Sequence, residues 1–459
     1  MNTIIGIGCD FQTELDEGSR KNSIESLKGG EKDKVNWMIN NMHKNKAYFY
    51  KISNCMDEKY KILNQLKDSY LKYRHNWKKQ PQSFFLKGSQ KSDLKNKNFT
   101  PLCFDIEVAA VCDLACSFCY RQFISTPDKI MSKELAFKLI DQASELNVPS
   151  MKFNWRGEPL LNPNLPEIID YAKKKGVLET IINTNATKLD EKISEKIIKS
   201  GLDIMIYSFD GGTKEIYEKM RPGRFKKNNF ENIYKNISNF YKIRNKFKSS
   251  FPRTKIQMIL TEETRRVKDE YFNLFKDIVD EVSVKQYTER GGNLDELNKK
   301  LDINLKGKKI EIQKKHENNS VWMKDLNNNY YISEKRLPCE QPFQRVLSTY
   351  DGKVGMCCYD WGATHTVGYL DKLGIANGNE EYLKVKKKAD NKEKGFEMMK
   401  LKMPKSYNSP KKVVKSLKDI WFGDEINKVR EAHINNKVEN INICKACPFK
   451  ETYKWKKIT

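Results

Sequence analysis

The stretch from Val111 to Tyr120, VCDLACSFCY, places three cysteines within eight residues. Cys112, Cys116 and Cys119 follow an apolar segment, residues 104–110 (FDIEVAA), which is typical of a short buried strand. Loops that follow parallel strands build active sites, because the carboxyl ends of the strands meet at one edge of the sheet. The Cys-x3-Cys-x2-Cys spacing closes a tight loop that can point three thiolates at one centre. The stretch therefore predicts a metal centre in a strand-to-helix loop.

Three kinds of site compete for this triplet. Structural zinc takes four ligands and usually a Cys-x2-Cys knuckle, and no histidine lies nearby in the sequence to complete such a site. Buried structural cysteines do not require this spacing. The remaining interpretation is a [4Fe–4S] cluster held by three thiolates, which leaves one iron without a protein ligand.

Six short apolar segments separated mostly by helical patterns indicate the fold class. Ser132 and Asp190 are predicted to cap two of the helices at their N-termini. This alternation predicts an α/β fold with a parallel sheet, namely a partial (β/α)6 TIM-like barrel with chemistry at the strand C-termini. The predicted strands are residues 104–110, 151–155, 177–182, 203–209, 255–260 and 282–286.

Changes in composition and residue pattern along the chain predict four parts. Residues 1–99 form a helical N-terminal segment with a linker, and residues 100–290 form the barrel. Residues 291–336 are polar and irregular, as in a connector, and residues 337–459 form a small cysteine-rich domain. Within that domain the Asp351-Gly352 pair predicts the turn of a hairpin.

The composition favours a protein with a sizeable core and a basic surface. Hydrophobic residues make up 38% of the 459 residues, and the formal net charge is +25. The positive charges are spread along the whole chain, so a lysine-biased surface explains them better than a nucleic-acid footprint. No apolar run is long enough to span a bilayer, and the N-terminus lacks the features of a signal peptide. We therefore expect a cytoplasmic protein with no membrane partner, and metal or redox use of its cysteines rather than disulfides.

The triplet and its surroundings resemble the radical S-adenosylmethionine (SAM) enzymes. The resemblance covers about residues 100–290, and its motifs follow successive predicted strands. It implies that the open iron chelates SAM and that the reduced cluster cleaves SAM to a 5′-deoxyadenosyl radical, which takes a hydrogen atom from the substrate. Arg156 departs from the family's Gly-Gly-Glu-Pro motif, where a glycine is usual. The residues that match cofactor-binding positions are Phe118 in the cysteine loop, Gly157 and Glu158 in WRGEP, Asn185 in NTNAT, Ser208 and Asp210 in YSFDGG, and Arg221 in YEKMRPG.

The C-terminal cysteines resemble those of the SPASM/twitch extensions that follow many radical SAM domains. The resemblance implies one auxiliary [4Fe–4S] cluster held by Cys339, Cys357, Cys444 and Cys447, with Cys358 as an alternative to Cys357. A zinc knuckle would use the same thiolates and stays open as an alternative.

The resemblance implies an oxidoreductase that oxidises a small, sugar-like substrate through the auxiliary cluster. A peptide- or protein-modifying maturase of the SPASM type is the alternative, and RNA modification fits less well because no RNA-binding module is recognisable. An external electron donor such as flavodoxin or ferredoxin would reduce the first cluster. The candidates for a catalytic proton acceptor near the substrate are Lys285, Glu289 and Asp360. Arg290 suits an anionic substrate group better than proton transfer.

Overall fold

The structure is a computed structural model, and the residues that it describes fall into two compact units. The first unit contains the described residues up to Trp77, from Leu102 to residue 117, and from Asp128 to Gln286. The second unit contains the described residues of Lys78–Pro101 and Phe118–Pro127 and those that follow Gln286. Most of the predicted N-terminal segment, together with Glu289 and Arg290, lies outside the described residues. The described residues are 67–85, 94, 99–116, 118–119, 121, 127–249, 251–286, 322–324, 330–336, 338–377, 409–445, 447 and 453–458.

Six parallel strands form the sheet of the first unit, and each pairs with the next one along the chain. Among the described residues, the sixth strand does not pair with the first, so the sheet stays open. The predicted partial (β/α)6 barrel is confirmed by this connectivity. The strands are β1 (Cys103–Ile106), β2 (Ser150–Lys152), β3 (Glu179–Thr184), β4 (Ile204–Ser208), β5 (Arg253–Leu260) and β6 (Glu281–Gln286).

Helices connect these strands, and local sequence signals start them. The hydroxyl of Ser132 accepts a hydrogen bond from the Leu135 N–H, and Asp190 Oδ1 accepts one from the Ile193 N–H at 2.8 Å. Both predicted N-caps are therefore confirmed, each satisfying an N–H group that the helix itself leaves without a partner. The helices are α1 (Lys67–Phe85), α2 (Lys133–Glu145), α3 (Leu165–Lys174), α4 (Glu191–Lys199), α5 (Lys214–Met220), α6 (Phe230–Lys246), α7 (Glu262–Arg266) and α8 (Lys268–Phe275).

One face of the parallel sheet carries both polar side chains and an aromatic cluster. Paired residues of neighbouring strands share a face, and the register places Ser208, Gln257 and Ser283 together. Lys285 lies on the same face, two residues beyond Ser283. At the other end of this face, isoleucines of β3 and β4 pack with three aromatic side chains of α1, and Tyr73 Oη donates a hydrogen bond to Glu179 at 3.1 Å. This face therefore carries buried polar side chains at both ends, with Glu179 at the amino end of β3 and Lys285 near the carboxyl end of β6.

The second unit contains two small antiparallel groups of strands. Strand β10 pairs with β9 and β11, and β8 pairs with β7 and β12. The strands are β7 (Trp322–Lys324), β8 (Tyr330–Arg336), β9 (Arg345–Ser348), β10 (Lys353–Gly355), β11 (Thr366–Tyr369) and β12 (Tyr453–Ile458). The helices are α9 (Gln341–Gln344), α10 (Lys372–Asn377), α11 (Leu417–Trp421), α12 (Asp424–Ile434) and α13 (Asn442–Lys445).

The hairpin predicted at Asp351-Gly352 joins β9 to β10, and Gly352 has a φ of +83°. Only glycine adopts such a backbone angle readily, because it has no Cβ to clash with the chain. The irregular connector predicted for residues 291–336 is wrong in part, since β7 and β8 lie within it. The reason is long-range pairing, because β8 aligns with β12 more than a hundred residues later. None of the described helices is long and apolar enough to cross a membrane.

Candidate functional site

The carboxylate of Glu158 ties together the loops that follow β2 and β3. It accepts hydrogen bonds from the Thr184 hydroxyl at 2.6 Å, the Asn185 N–H at 2.7 Å and the Leu160 N–H at 3.1 Å. Glu158 is 3% exposed. Burial raises the pKa of this carboxyl to about 7, although the hydrogen bonds from Asn185 and Thr184 oppose the rise. A negative charge held here would bind a cation strongly, because little water screens it.

Gly157 lets the Glu158 loop lie directly against the cysteine loop. A Cβ atom at this position would stand 2.2 Å from the Ala109 carbonyl oxygen and 2.4 Å from that of Val111. The next residue, Glu158, donates its N–H to the same Val111 oxygen at 2.9 Å. Glycine is therefore required for the close approach of the two loops.

Asn185 connects the end of β3 to the first cysteine. Its Nδ2 donates to Asp113 Oδ1 at 2.9 Å and lies 3.9 Å from the Cys112 sulfur. The Thr187 hydroxyl donates to the second oxygen of Asp113 at 2.7 Å. The sequence did not single out Asp113, although its place directly after Cys112 is a usable signal. Burial raises the pKa of the Cys112 thiol to about 12, with a further contribution from Cys116.

A buried ion pair stands beside the second cysteine. Arg221 donates from Nε to Asp210 Oδ2 at 2.6 Å, and its Nη1 lies 3.6 Å from the Cys116 sulfur. Asp210 is fully buried and also accepts the Ile259 N–H at 2.5 Å. Burial raises the pKa of Asp210, and the charges of Arg221 and Lys285 oppose that rise. Ser208 lies at the end of β4, half-buried, two residues before this carboxylate.

These contacts fit a thiolate-bound cluster better than free thiols. A cluster held by thiolates carries negative charge on its sulfurs, and N–H groups aimed at those sulfurs stabilise that charge. Asn185 and Arg221 supply such groups to Cys112 and Cys116 respectively. Cys119 and Phe118 are half-buried and belong to the second unit. In the part of the chain that the structure describes, no three cysteine, histidine or acidic side chains already converge as a metal site, so the fit rests on the chemistry of the donors.

Arg156, which stands where the family motif usually has a glycine, pairs with a residue of the loop that follows β1. Its Nε and Nη2 donate to the two carboxylate oxygens of Glu107, each at 2.7 Å. Its guanidinium carbon lies 4.3 Å from the ring centre of Trp155. Both charged side chains are almost fully buried, with exposures of 7% and 0%. The arginine thus makes a bidentate ion pair across the ends of β1 and β2, which the sequence did not reveal.

The candidate proton acceptors differ in their surroundings. Lys285 is buried near the end of β6, on the face shared with Ser208. Asp360 is buried and accepts hydrogen bonds from the Thr364 N–H at 2.9 Å, the Thr364 hydroxyl at 2.8 Å and the His365 N–H at 2.7 Å. These bonds hold the loop after Cys358 in shape. The catalytic roles of Lys285 and Asp360 stay predictions, as do those of Glu289 and Arg290.

In the second unit, four of the C-terminal cysteines gather around Tyr359. Cys339 is buried there, and Cys357, Cys358 and Cys447 pack against the same cluster. A hydrogen bond with Cys358, burial, and the nearby Cys339 and Cys447 all raise the pKa of the Cys357 thiol.

Two donors from this unit reach the cysteine cluster, and both were missed by sequence reasoning. The Tyr359 N–H donates to the Cys357 sulfur at 3.4 Å, and Arg345 Nη1 lies 3.4 Å from the Cys358 sulfur. Thiols this close, with N–H donors on their sulfurs, suit a site that binds them as thiolates.

Cys444 turns its sulfur towards a buried histidine of α12. The Cys444 sulfur lies 3.6 Å from Nε2 of His433, and the Cys447 N–H donates to the Cys444 carbonyl oxygen at 3.2 Å. The structure thus gathers Cys339, Cys357, Cys358 and Cys447 and leaves the choice between Cys357 and Cys358 as ligand a prediction.

Comparisons with known proteins find similarity over the central part of the chain. Residues 106–261 match the model of the "Radical SAM superfamily". A probable GTP 3′,8-cyclase of Methanococcus maripaludis is 31% identical over 135 residues, which make up 29% of this chain and 43% of that protein. The Fe-coproporphyrin III synthase of Methanosarcina barkeri is 33% identical over 111 residues, which make up 24% of this chain and 27% of that protein. The chain thus spans less than half the length of these curated relatives.

A solved structure is also similar. The crystal structure of Streptococcus suis SuiB bound to precursor peptide SuiA aligns with a TM-score of 0.47 and 14% sequence identity. The alignment covers 90% of this chain and 83% of SuiB.

Proposed function

We propose that this chain, whose residues 106–261 match the model of the radical SAM superfamily, is an enzyme that cleaves S-adenosylmethionine reductively. The cluster ligands would be Cys112, Cys116 and Cys119. The observation that carries the proposal is the pair of N–H donors, from Asn185 and Arg221, that reach the sulfurs of Cys112 and Cys116. These donors come from different segments of the chain, so their meeting at the two thiols is a property of the fold.

A [4Fe–4S] cluster bound to these thiolates would supply one electron to SAM and so generate the 5′-deoxyadenosyl radical that takes a hydrogen atom from the substrate. Around it, the residues of the chain bind and orient. The buried Glu158 carboxylate would accept the SAM ammonium group, because a cation restores its ionised form. Asp210, held by Arg221, would contact the polar part of SAM near Cys116. Phe118, Asn185 and Ser208 would complete this binding surface.

The second cysteine group supports an oxidative reaction. Five C-terminal cysteines, four of them packed together, supply enough thiolates for a fully ligated auxiliary cluster. Such a cluster could accept the electron that a substrate radical loses after a base removes its proton. The substrate would then leave oxidised by two electrons. Lys285, which is buried near Asp210, and the buried Asp360 are the described candidates for that base.

The names of the relatives do not identify the substrate. One is named for the cyclisation of GTP and the other for the synthesis of Fe-coproporphyrin III. Since these substrates differ, what the relatives share with this chain is the matched domain and its chemistry. A small, sugar-like alcohol is our proposed substrate class, because the oxidation of a carbon bearing a hydroxyl needs only the two steps above.

The production of 5′-deoxyadenosine tests the proposed function. Purified protein is reconstituted anaerobically with iron and sulfide, reduced with dithionite or flavodoxin, and supplied with SAM. We expect 5′-deoxyadenosine by chromatography from the wild type and none from C112A/C116A/C119A. A wild type that holds iron and makes no 5′-deoxyadenosine would refute the proposal, as would an equally active triple variant.

The oxidative part has its own test. Sugar-like alcohols and peptides are supplied in parallel, and C444A/C447A is compared with the wild type. We expect an oxidised alcohol from the wild type, and from C444A/C447A we expect 5′-deoxyadenosine without oxidised product. Zinc in place of iron at the C-terminal site, measured by elemental analysis of C112A/C116A/C119A, would exclude the auxiliary cluster as electron acceptor.

A further inference from the structure

His433 links two of the C-terminal cysteines through its two ring nitrogens. It lies on α12 and is 1% exposed. Its Nδ1 accepts the backbone N–H of Cys339 at 3.2 Å, and its Nε2 lies 3.6 Å from the sulfur of Cys444. A backbone N–H can only donate, so Nδ1 must be the unprotonated nitrogen. A neutral imidazole then carries its proton on Nε2, which donates to the Cys444 sulfur.

Arg430 fixes the helix that carries this histidine. It precedes His433 by three residues, on the same side of α12, and is fully buried. Its Nε donates to the Pro342 carbonyl oxygen at 3.0 Å, and its Nη1 donates to the Trp421 carbonyl oxygen at 2.6 Å. The segment from Cys339 to Pro342 is therefore held to α12 at two points. These two contacts hold the His433 imidazole between Cys339 and Cys444.

We propose that His433 is a positioning residue that sets the reduction potential of the auxiliary cluster. The inference rests on the proposed function, since it requires the C-terminal cysteines to hold iron. Reduction adds negative charge to a cluster and its thiolates. A hydrogen bond from Nε2–H to the Cys444 sulfur stabilises the reduced form more than the oxidised form and raises the potential. A higher potential would make the cluster a better acceptor of the substrate's electron.

Two conservative variants separate the two contacts of the ring. In H433Q, the side-chain amide nitrogen can take the place of Nε2 and keep the donor to Cys444. In H433N, the shorter side chain can keep the contact with the Cys339 N–H but cannot reach the Cys444 sulfur. H365Q is the matched control, because His365 has no hydrogen bond to a cysteine sulfur among the described residues and lies in the same unit.

The test measures the midpoint potential of the auxiliary cluster, by redox titration followed by EPR, in the C112A/C116A/C119A background. We expect H433N to shift the potential to more negative values, and H433Q and H365Q to leave it close to that of the parent. If the parent holds no iron, the auxiliary cluster itself is refuted and the inference is lost with it. If the parent holds iron and H433N titrates at the parental potential, the inference alone is overturned.

A second measurement covers the case in which H433N fails to hold its iron. The parent is labelled with 15N-histidine, and pulsed EPR of the reduced cluster is recorded. We expect a weak magnetic coupling to one imidazole nitrogen that is absent in H433Q. A labelled parent without such coupling would overturn the proposal.

Discussion

At the scale of single residues, the ionisation of Glu158 has a measurable consequence for stability. The pKa of this carboxyl is about 7 in the folded protein, above its ordinary value of 4.5. As the pH rises, Glu158 therefore ionises first in the unfolded chain, and this lowers the stability of the folded protein. The stabilising contribution is complete below pH 4.5 and is lost as the pH rises to about 7, by about 3 kcal/mol.

We predict that, as the pH rises from 4.5 to about 7, the free energy of unfolding of the wild type falls by this amount relative to that of E158Q. Chemical denaturation of both proteins across that range measures the difference. Comparing the pair cancels the titration of other buried groups, such as Glu179 and Asp210. A difference that does not change with pH would show that the carboxyl titrates normally.

The Arg156–Glu107 pair is the second feature at this scale. Because both charges are buried, the loss of one partner leaves the other uncompensated, and we predict that R156M lowers the free energy of unfolding by about 3–5 kcal/mol. Adding E107L should restore most of the loss. Chemical denaturation measures both.

K133M is the matched control for R156M. It removes an exposed ion pair with Glu167, which we expect to contribute about 1 kcal/mol or less. If R156M is no more destabilising than K133M, the buried pair does not have the role that its geometry indicates.

Sequence reasoning identified the Cys, Glu and Asn positions at the strand ends but not their partners. Glu158 stands in a motif, whereas the pairing of Arg156 with Glu107 joins residues 49 apart. His433 and Cys339 are 94 residues apart. A single sequence carries no signal for such distances, since these contacts depend on how the strands and helices stack. Only the local parts of the site were therefore predictable.

At the scale of elements, Gly157 controls how closely two strand-end loops approach. We predict that G157A lowers the free energy of unfolding by at least about 2 kcal/mol and removes iron from the N-terminal site, because its Cβ would press on the Ala109 and Val111 oxygens. Denaturation and iron analysis in the C444A/C447A background measure this.

G355A is the control for G157A. At that position an added Cβ would meet only a flexible Leu347 methyl group, at 3.3 Å. We expect G355A to retain the N-terminal iron. Equal effects of the two variants would contradict a special requirement for glycine at residue 157.

Elements with local start signals were predictable, and elements defined by distant partners were not. Ser132 and Asp190 cap helices through bonds to residues three positions away, and Gly352 needs only its own backbone angle. Strand β8, by contrast, is rich in polar side chains and is defined by β12. The sequence therefore predicted the hairpin and the helices but described β8 as irregular.

At the scale of the whole molecule, Cys112 and Cys116 lie in a different unit from the C-terminal cysteines. Cys112 and Cys116 lie in the first unit beside Asn185 and Arg221, and the C-terminal cysteines lie in the second unit. The α/β class and the cysteine-rich C-terminal region were predicted correctly from strand alternation and cysteine spacing. The four-part division at residues 99, 290 and 336 stays a prediction.

The most direct test of the central claim is the EPR spectrum of the reduced protein before and after SAM is added. We predict that SAM changes the signal of one cluster in the wild type and in C444A/C447A, because the cluster proposed for Cys112, Cys116 and Cys119 would have an iron open to SAM. In C112A/C116A/C119A the remaining signal should not respond. A SAM response that survives in this triple variant, or that is absent from an iron-loaded wild type, would contradict the account.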